Sequence, residues 1–248
     1  MIEERAATAA TAAGVTAEPS PPSRWRKRIL RGGAALCALL LLPFLLDLLF
    51  PFPWAALERP VSVRVEAQDG APLRYFLAAD GRWRFPVRLA DLPPDLPTAL
   101  VASEDRRFYR HFGVDPIAVV RAAWSDLRAR KVVSGASTIP MQIARMAEPG
   151  PRTIGRKFRE AFRAFQLELH RSKRQLLEDY LNLIPCGGNL EGVGAGALLL
   201  FGKNPADLSL GEVALLVALP RSPARYDPTA HPEAARRARD TVLRQLGA

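Results

Sequence analysis

Nineteen residues from Gly32 to Phe50 carry a single charge, Asp47 near the far end, and they follow the basic cluster Arg24, Arg26, Lys27, Arg28 and Arg31. At about 1.5 Å of rise per residue, such a run nearly matches a hydrocarbon core of about 30 Å and can cross a bilayer as one helix. A cleaved leader has an apolar stretch of about 7–15 residues followed by small residues. Here the run continues into Phe50-Pro51-Phe52-Pro53-Trp54, bulky side chains that suit a membrane interface. The sequence therefore reads as an uncleaved transmembrane anchor over residues 29–50. The cations before it put the N-terminus in the cytoplasm and everything after Trp54 on the outer side. Residues 1–28, Ala/Thr-rich and then Pro/Ser-rich through Ser23, read as a disordered cytoplasmic tail.

The remainder of the 248 residues suffices for one domain of ordinary size. A hydrophobic share of 48% and a charged share of 24% exclude wholesale disorder. The net charge of +10 favours a polyanion, an anionic membrane surface or a phosphorylated substrate without choosing among them. Two cysteines, Cys37 and Cys186, exclude a disulfide framework and a cysteine metal cage, and the histidines at 111, 170 and 231 are scattered.

Residues 51–94 read as a short β-containing linker region. Val61 to Glu66 and Trp83-Arg84-Phe85 alternate in polarity, with turn signals at Asp69-Gly70 and Asp80-Gly81. The proline-rich stretch Asp91 to Pro97 reads as continuing neither a sheet nor a helix. Residues 95–248 form the main domain, with helix signals dominating. Asp115-Pro116 gives a cap and a first-turn proline ahead of Ile117, Val120, Trp124 and Leu127 at helical spacing. Ile154, Phe158, Phe162, Phe165 and Leu169 form a second stripe. Ser172 with Gln175 and Ser209 with Glu212 fit capping boxes, and His231-Pro232 opens a last arginine-rich helix.

Three stretches have the chemistry of a site. Glu104-Asp105 lies among basic and aromatic residues, where Glu104 can serve as a general base or simply end a solvated helix. Glu160 lies near Arg152, Arg156, Lys157 and Arg159, either in an anion site or on an ordinary basic helix face. Ser134 to Gln142 is small and polar, like many loops that offer hydroxyls and amides to a ligand.

Taken in order, five patterns carry more than any one of them. Glu104-Asp105-x-x-Phe108-x-x-His111-x-Gly113 is followed by Gly135-Ala136-Ser137-Thr138-Ile139-x-Met141-Gln142 and Arg156-Lys157-x-x-Glu160. Then come Lys173-x-x-Leu176-Leu177-Glu178-x-Tyr180-Leu181-Asn182 and Leu219-Pro220-x-x-Pro223-x-x-Tyr226-x-Pro228. The series resembles the family 51 peptidoglycan glycosyltransferases of class A penicillin-binding proteins and monofunctional transglycosylases. Gly81 to Arg84 and Pro185 to Asn189 look most like the type 1C subgroup. That subgroup carries a transpeptidase after this domain, so the chain as it stands is expected to be glycosyltransferase-only.

The resemblance implies a mainly α (α+β), lysozyme-like glycosyltransferase domain at the outer face of the bacterial inner membrane. It would polymerise lipid II into β-1,4-linked glycan with inversion, releasing undecaprenyl pyrophosphate. Glu104 matches the base that takes the acceptor's 4-hydroxyl proton, and Glu160 the second glutamate that organises the donor site. The matching substrate-binding positions are Asp105, Phe108, His111, Ser137, Thr138, Gln142, Arg145, Arg152, Arg156, Lys157 and Lys173. For Lys173, Glu178, Tyr180 and Asn182 a structural role weighs above substrate contact, and His111 reads either as a neighbour of Glu104 or as a satisfied core histidine.

No resident metal or cofactor is expected, and a divalent cation at the pyrophosphate stays open. Expected partners are lipid II, the nascent glycan strand, the membrane and other cell-wall synthesis proteins, with no nucleic acid. The segment with Ile117, Val119, Val120, Trp124, Val132 and Val133, together with Arg121, Arg128, Arg130 and Lys131, reads as membrane-dipping or as ordinary core. Pro140 stands where the family usually has Thr and Cys186 where an aromatic is common, and activity is expected to survive both. The alternatives are a lytic glycan-cleaving enzyme, which needs no pyrophosphate site, and a catalytically impaired scaffold of cell-wall assembly.

Overall fold

A computed structural model describes residues 24–129, 136–151 and 153–247. The expectations for residues 1–23, for Arg130, Lys131, Val132 and Val133, for Ser134-Gly135 and for Arg152 fall outside the described residues. The chain divides into two units, residues 1–46 and 47–248. Helix α1 runs Arg24–Leu49, so the turn begins inside the basic cluster and stops just before Pro51. Its segment Trp25–Leu49, 25 residues, has the length and apolar composition to cross a membrane.

In the second unit, strands β1 (Val63–Glu66) and β2 (Pro72–Phe76) pair antiparallel. The expected turns form: Asp69 accepts from the backbone of Ala71, and Asp80 from that of Arg82. Trp83-Arg84-Phe85, expected from its alternation to belong to a strand, makes only an isolated bridge. Trp83 bridges Leu190 instead, because Arg84 is drawn into a buried ion pair with Glu191. Its Nε and Nη2 donate to the two Glu191 oxygens at 2.8 and 3.0 Å, while Nη1 reaches the Pro60 carbonyl and Asp80. These opposed charges hold the guanidinium pKa above its ordinary value despite burial. The bulky residues after the apolar run also depart from expectation: Phe52 is buried in the domain core and Trp54 packs against it, while Phe50 is exposed.

Helix α2 (Asp95–Glu104) starts within the proline-rich stretch that was expected to bar it. Pro97 lies in its first turn, where no backbone donor is required. Helix α3 (Pro116–Ala129) is capped as expected, with Asp115 accepting from the backbone of Ile117 and Ala118. Helices α4 (Ile139–Ala147), α5 (Ile154–His170) and α6 (Lys173–Leu183) follow, α6 opening on the Ser172–Gln175 capping box. The short hairpin β3 (Pro185–Gly187) and β4 (Leu190–Glu191) leads into α7 (Val193–Phe201), α8 (Leu210–Ala218) and α9 (Pro232–Leu246). The second capping box, Ser209 with Glu212, opens α8. The fold is mainly helical with two small sheets.

The core gathers Leu96, Leu100, Phe108, Ile143, Leu167, Leu177, Leu181 and Leu216. Segment 85–91 is tied to α6 through side chains of its fourth-motif residues. Asn182 pairs with both backbone groups of Val87, and Glu178 accepts from the Leu89 amide. Cys186 fits because α7 comes close there: a Cβ on Gly196 would meet the Cys186 Sγ at 3.2 Å, leaving no room for an aromatic. Burial pushes that thiol up to about 12.

Two expected apolar stripes do not face the core. On α3, Ala118 and Ala122 are buried, whereas Val120, Trp124 and Leu127 are 69%, 67% and 73% exposed. On α5, Ile154 and Phe158 are exposed, and Ala164 and Leu167 supply the fully buried contacts. On α5, small residues allow the close approach of α4.

Replacing Arg84 by Met leaves the buried Glu191 carboxylate with only the half-exposed Arg82, 3.7 Å away. It is expected to lower stability by about 3–5 kcal/mol. Adding Glu191→Leu should recover much of the loss, as read from thermal melts of the detergent-solubilised chain.

Candidate active site

Glu104 is the last residue of α2, and both its carboxylate oxygens are engaged. Gln142 Nε2 donates to Oε2 at 3.1 Å from α4, and Arg221 Nε donates to Oε1 at 2.7 Å from the turn Leu219–Arg221. The Tyr180 hydroxyl donates to Gln142 Oε1 at 3.1 Å, which turns the amide so that its NH₂ faces Glu104. Burial, with the Glu104 charge nearby, pushes the Tyr180 hydroxyl well above its ordinary pKa, so it remains a donor.

Behind this carboxylate stands a second one. Asp105 is buried, accepts from the Ile139 amide at 3.0 Å, and receives the His111 Nε2–H, 3.0 Å from each oxygen. His111 is thus paired with Asp105, and its buried Nδ1 has no partner among the described residues. Phe108 is fully buried, and Lys173 lies 4.4 Å over its ring while donating to the His111 carbonyl and to Glu168. Gly113 closes the segment at φ +71°, pressed so near α5 that a Cβ would sit 2.8 Å from the Phe165 backbone nitrogen. Thr138 caps α4 and donates its hydroxyl to the Gly113 carbonyl. Asp105, Phe108, His111, Thr138 and Lys173 therefore shape the wall that carries Glu104.

Glu160 is buried on α5 and held by a guanidinium fork: Arg145 Nε and Nη2 donate to its two oxygens at 2.9 and 3.1 Å. Lys157 Nζ lies 3.4 Å away and Arg156 Nε 4.0 Å. Desolvation raises the Glu160 pKa, yet the Arg145 bond and the Arg145 and Lys157 charges outweigh it and hold the carboxyl below its ordinary 4.5. Three cations face one carboxylate, which leaves a positive surplus. Ser137 Oγ accepts from both Arg145 and Lys157.

Helix α4 joins the two centres, because Gln142 and Arg145 are three residues apart and share a face. The first serves Glu104, the second Glu160. Pro140 occupies the first turn of this helix, where the amide it lacks has no helical acceptor. A cleft of about 360 Å³ is lined by Glu104, Arg106, Arg107, Arg121, Ser137 and Thr138. Glu160 lies behind Ser137, outside that lining. A larger hollow of about 590 Å³ lies between Tyr75, Phe85 and Lys203 and contains neither Glu104 nor Glu160. Among the described residues no group of three His, Cys, Asp or Glu side chains could hold a metal ion, and no site residue is assigned to a cation.

Sequence reasoning missed Arg221. It is an unspecified position inside the fifth pattern, 117 residues from its partner, and local sequence carries no signal for that contact.

The domain is mainly helical, with one glutamate at a cleft and another in a cation cluster. Residues 69–247 match the family model described as Transglycosylase, and the chain belongs to that family. It is 47% identical over 211 residues to penicillin-binding protein 1C of Escherichia coli (strain K12), covering 82% of this chain and 27% of that one. It is 44% identical over 164 residues to penicillin-binding protein 1A of Aquifex aeolicus (strain VF5), covering 66% and 23%. The chain thus spans about a quarter of the length of these curated relatives. The crystal structure of penicillin-binding protein 1A from Haemophilus influenzae overlays at a TM-score of 0.41 and 22% identity, covering 76% of this chain and 18% of that chain. That fit is too loose to argue from.

Arg145→Met leaves Glu160 buried without its fork and is expected to cost about 1–3 kcal/mol at neutral pH. The ionised Glu160 stabilises the fold above its ordinary pKa of 4.5, and this contribution fades as pH falls through its lower folded value. The melting-temperature gap between native and variant should therefore be full at neutral pH and close as acidification carries the pH through that lower value.

Proposed function

We propose that this chain is a peptidoglycan glycosyltransferase that polymerises lipid II into β-1,4-linked glycan. The carrying observation is that one helix, α4, supports both Glu104 at the cleft and the Arg145–Glu160–Lys157 cluster beside it. On this reading Glu104 accepts the proton of the acceptor's 4-hydroxyl as that oxygen attacks the donor's anomeric carbon. The anomeric carbon–pyrophosphate bond breaks, and undecaprenyl pyrophosphate departs with the electron pair. A single displacement inverts the anomeric centre.

The leaving group already carries its charge well, so the protein's task is positioning and neutralisation. Arg145, Arg156 and Lys157 offer charge-assisted bonds to the departing diphosphate, and Glu160 keeps their side chains in register. A lytic enzyme, which cleaves between sugars with water, has no use for that surplus of cations.

The chain lies, on this proposal, in the bacterial inner membrane, spanning it once through α1. The basic residues before the span remain cytoplasmic and the catalytic domain lies outside. The solvent-facing Val120, Trp124 and Leu127 of α3, with Arg121 and Arg128 on the same helix, suit the bilayer surface and the lipid tail of the substrate.

Incubation of the purified chain with labelled lipid II tests the assignment. Native protein should yield glycan polymer, and Glu104→Gln should lower the rate by about 100-fold or more. Polymer formed equally well by Glu104→Gln, or digestion of preformed glycan by the native chain, would overturn it. Val120→Asp combined with Leu127→Asp should cut polymerisation in lipid vesicles about tenfold with an unchanged melting temperature; native rates in vesicles would remove the membrane role of α3.

A further inference from the structure

Few groups hold the Glu104 carboxylate in place. Its side chain is only 10% exposed, and it ends helix α2, where the helix dipole disfavours an anion. Asp105 and Asp115 add like charge around the same cleft. Gln142 is neutral, and Tyr180 reaches the carboxylate only through Gln142. Arg106, Arg107 and Arg121 line the cleft, but the cation bonded to Glu104 is Arg221.

Arg221 makes three bonds from one plane. Nε donates to Glu104 Oε1 at 2.7 Å, while Nη2 donates to the Ser103 carbonyl at 2.6 Å and to its hydroxyl at 2.8 Å. The turn that carries it begins at the fully buried Leu219, so its backbone is fixed to the core. A lysine ammonium could supply the charge but not this fork. A carboxylate offers about four lone-pair positions, so the bonds from Gln142 and Arg221 leave room for a sugar hydroxyl.

We propose that Arg221 is the positioning residue of the general base: it holds the Glu104 carboxylate in one orientation to meet the acceptor's hydroxyl proton. The proposal rests on the assignment of Glu104 as the base. Arg221 acts only through Glu104. It is expected to shape the rate rather than the affinity for lipid II.

The test is steady-state polymerisation of labelled lipid II by the full chain in detergent for native protein, Arg221→Gln, Arg221→Lys and Glu104→Gln. Arg221→Gln should lower kcat about tenfold with KM within about twofold. Arg221→Lys should restore only part of kcat. A native kcat in Arg221→Gln, or a loss confined to KM, overturns the proposal. If Arg221→Gln fails to fold, Arg221→Lys decides alone: a kcat loss at unchanged KM supports the role, and a native kcat overturns it. Activity that persists in Glu104→Gln overturns the base assignment itself. An inactive Glu104→Gln beside a native-like Arg221→Gln overturns the role of Arg221 only.

Discussion

The fork of Arg145 on Glu160 and the amide of Gln142 on Glu104 issue from the same short helix, and the site exists because that helix cannot rotate. A nine-residue helix has little stability of its own. Its register comes from Thr138, which caps the first turn and donates to Gly113, and from Ile139 and Ile143, which are fully buried. Turning the helix by one residue would separate both glutamates from their partners at once. Packing and chemistry are thus one constraint at this point.

The polar interior follows the same logic on a larger scale. A buried carboxylate is tolerated only when donors surround it. Asp105 has His111 and the Ile139 amide, Glu160 has its cations, and Glu191 has Arg84. The first builds the wall of the cleft and the second stands beside it, outside its lining. The third binds the segment around residues 80–85 to the hairpin at 185–191, far from any chemistry. Similar ion pairs therefore do different work depending on which elements they join.

Much of this was legible in local sequence, and the exceptions share a cause. The apolar run, the two capping boxes, the Asp115 cap and the mainly helical character depend on residues within a few positions of one another. The stripes on α3 and α5 have the same helical spacing as core stripes, but spacing says only that a face is apolar, not what covers it. Ala122 and Ala164 took the buried positions, leaving Trp124 and Phe158 outside. The strand at residues 83–85 failed because Arg84 answers to Glu191, 107 residues away. Five patterns in order pointed to Glu104 and Glu160, but the spacing of a pattern cannot tell a residue that meets substrate from one that braces its neighbour. Lys173, stacked on Phe108, is such a brace.

The thiol sealed between α7 and the short hairpin has a practical side. At ordinary pH it is neither ionised nor accessible, and the other cysteine, Cys37, lies inside the apolar stretch of α1 that is long enough to cross a membrane. Neither native thiol is therefore offered to a water-borne maleimide in the membrane-embedded protein, so a single cysteine introduced on the domain surface would give a one-site fluorescent reporter with both native cysteines left in place.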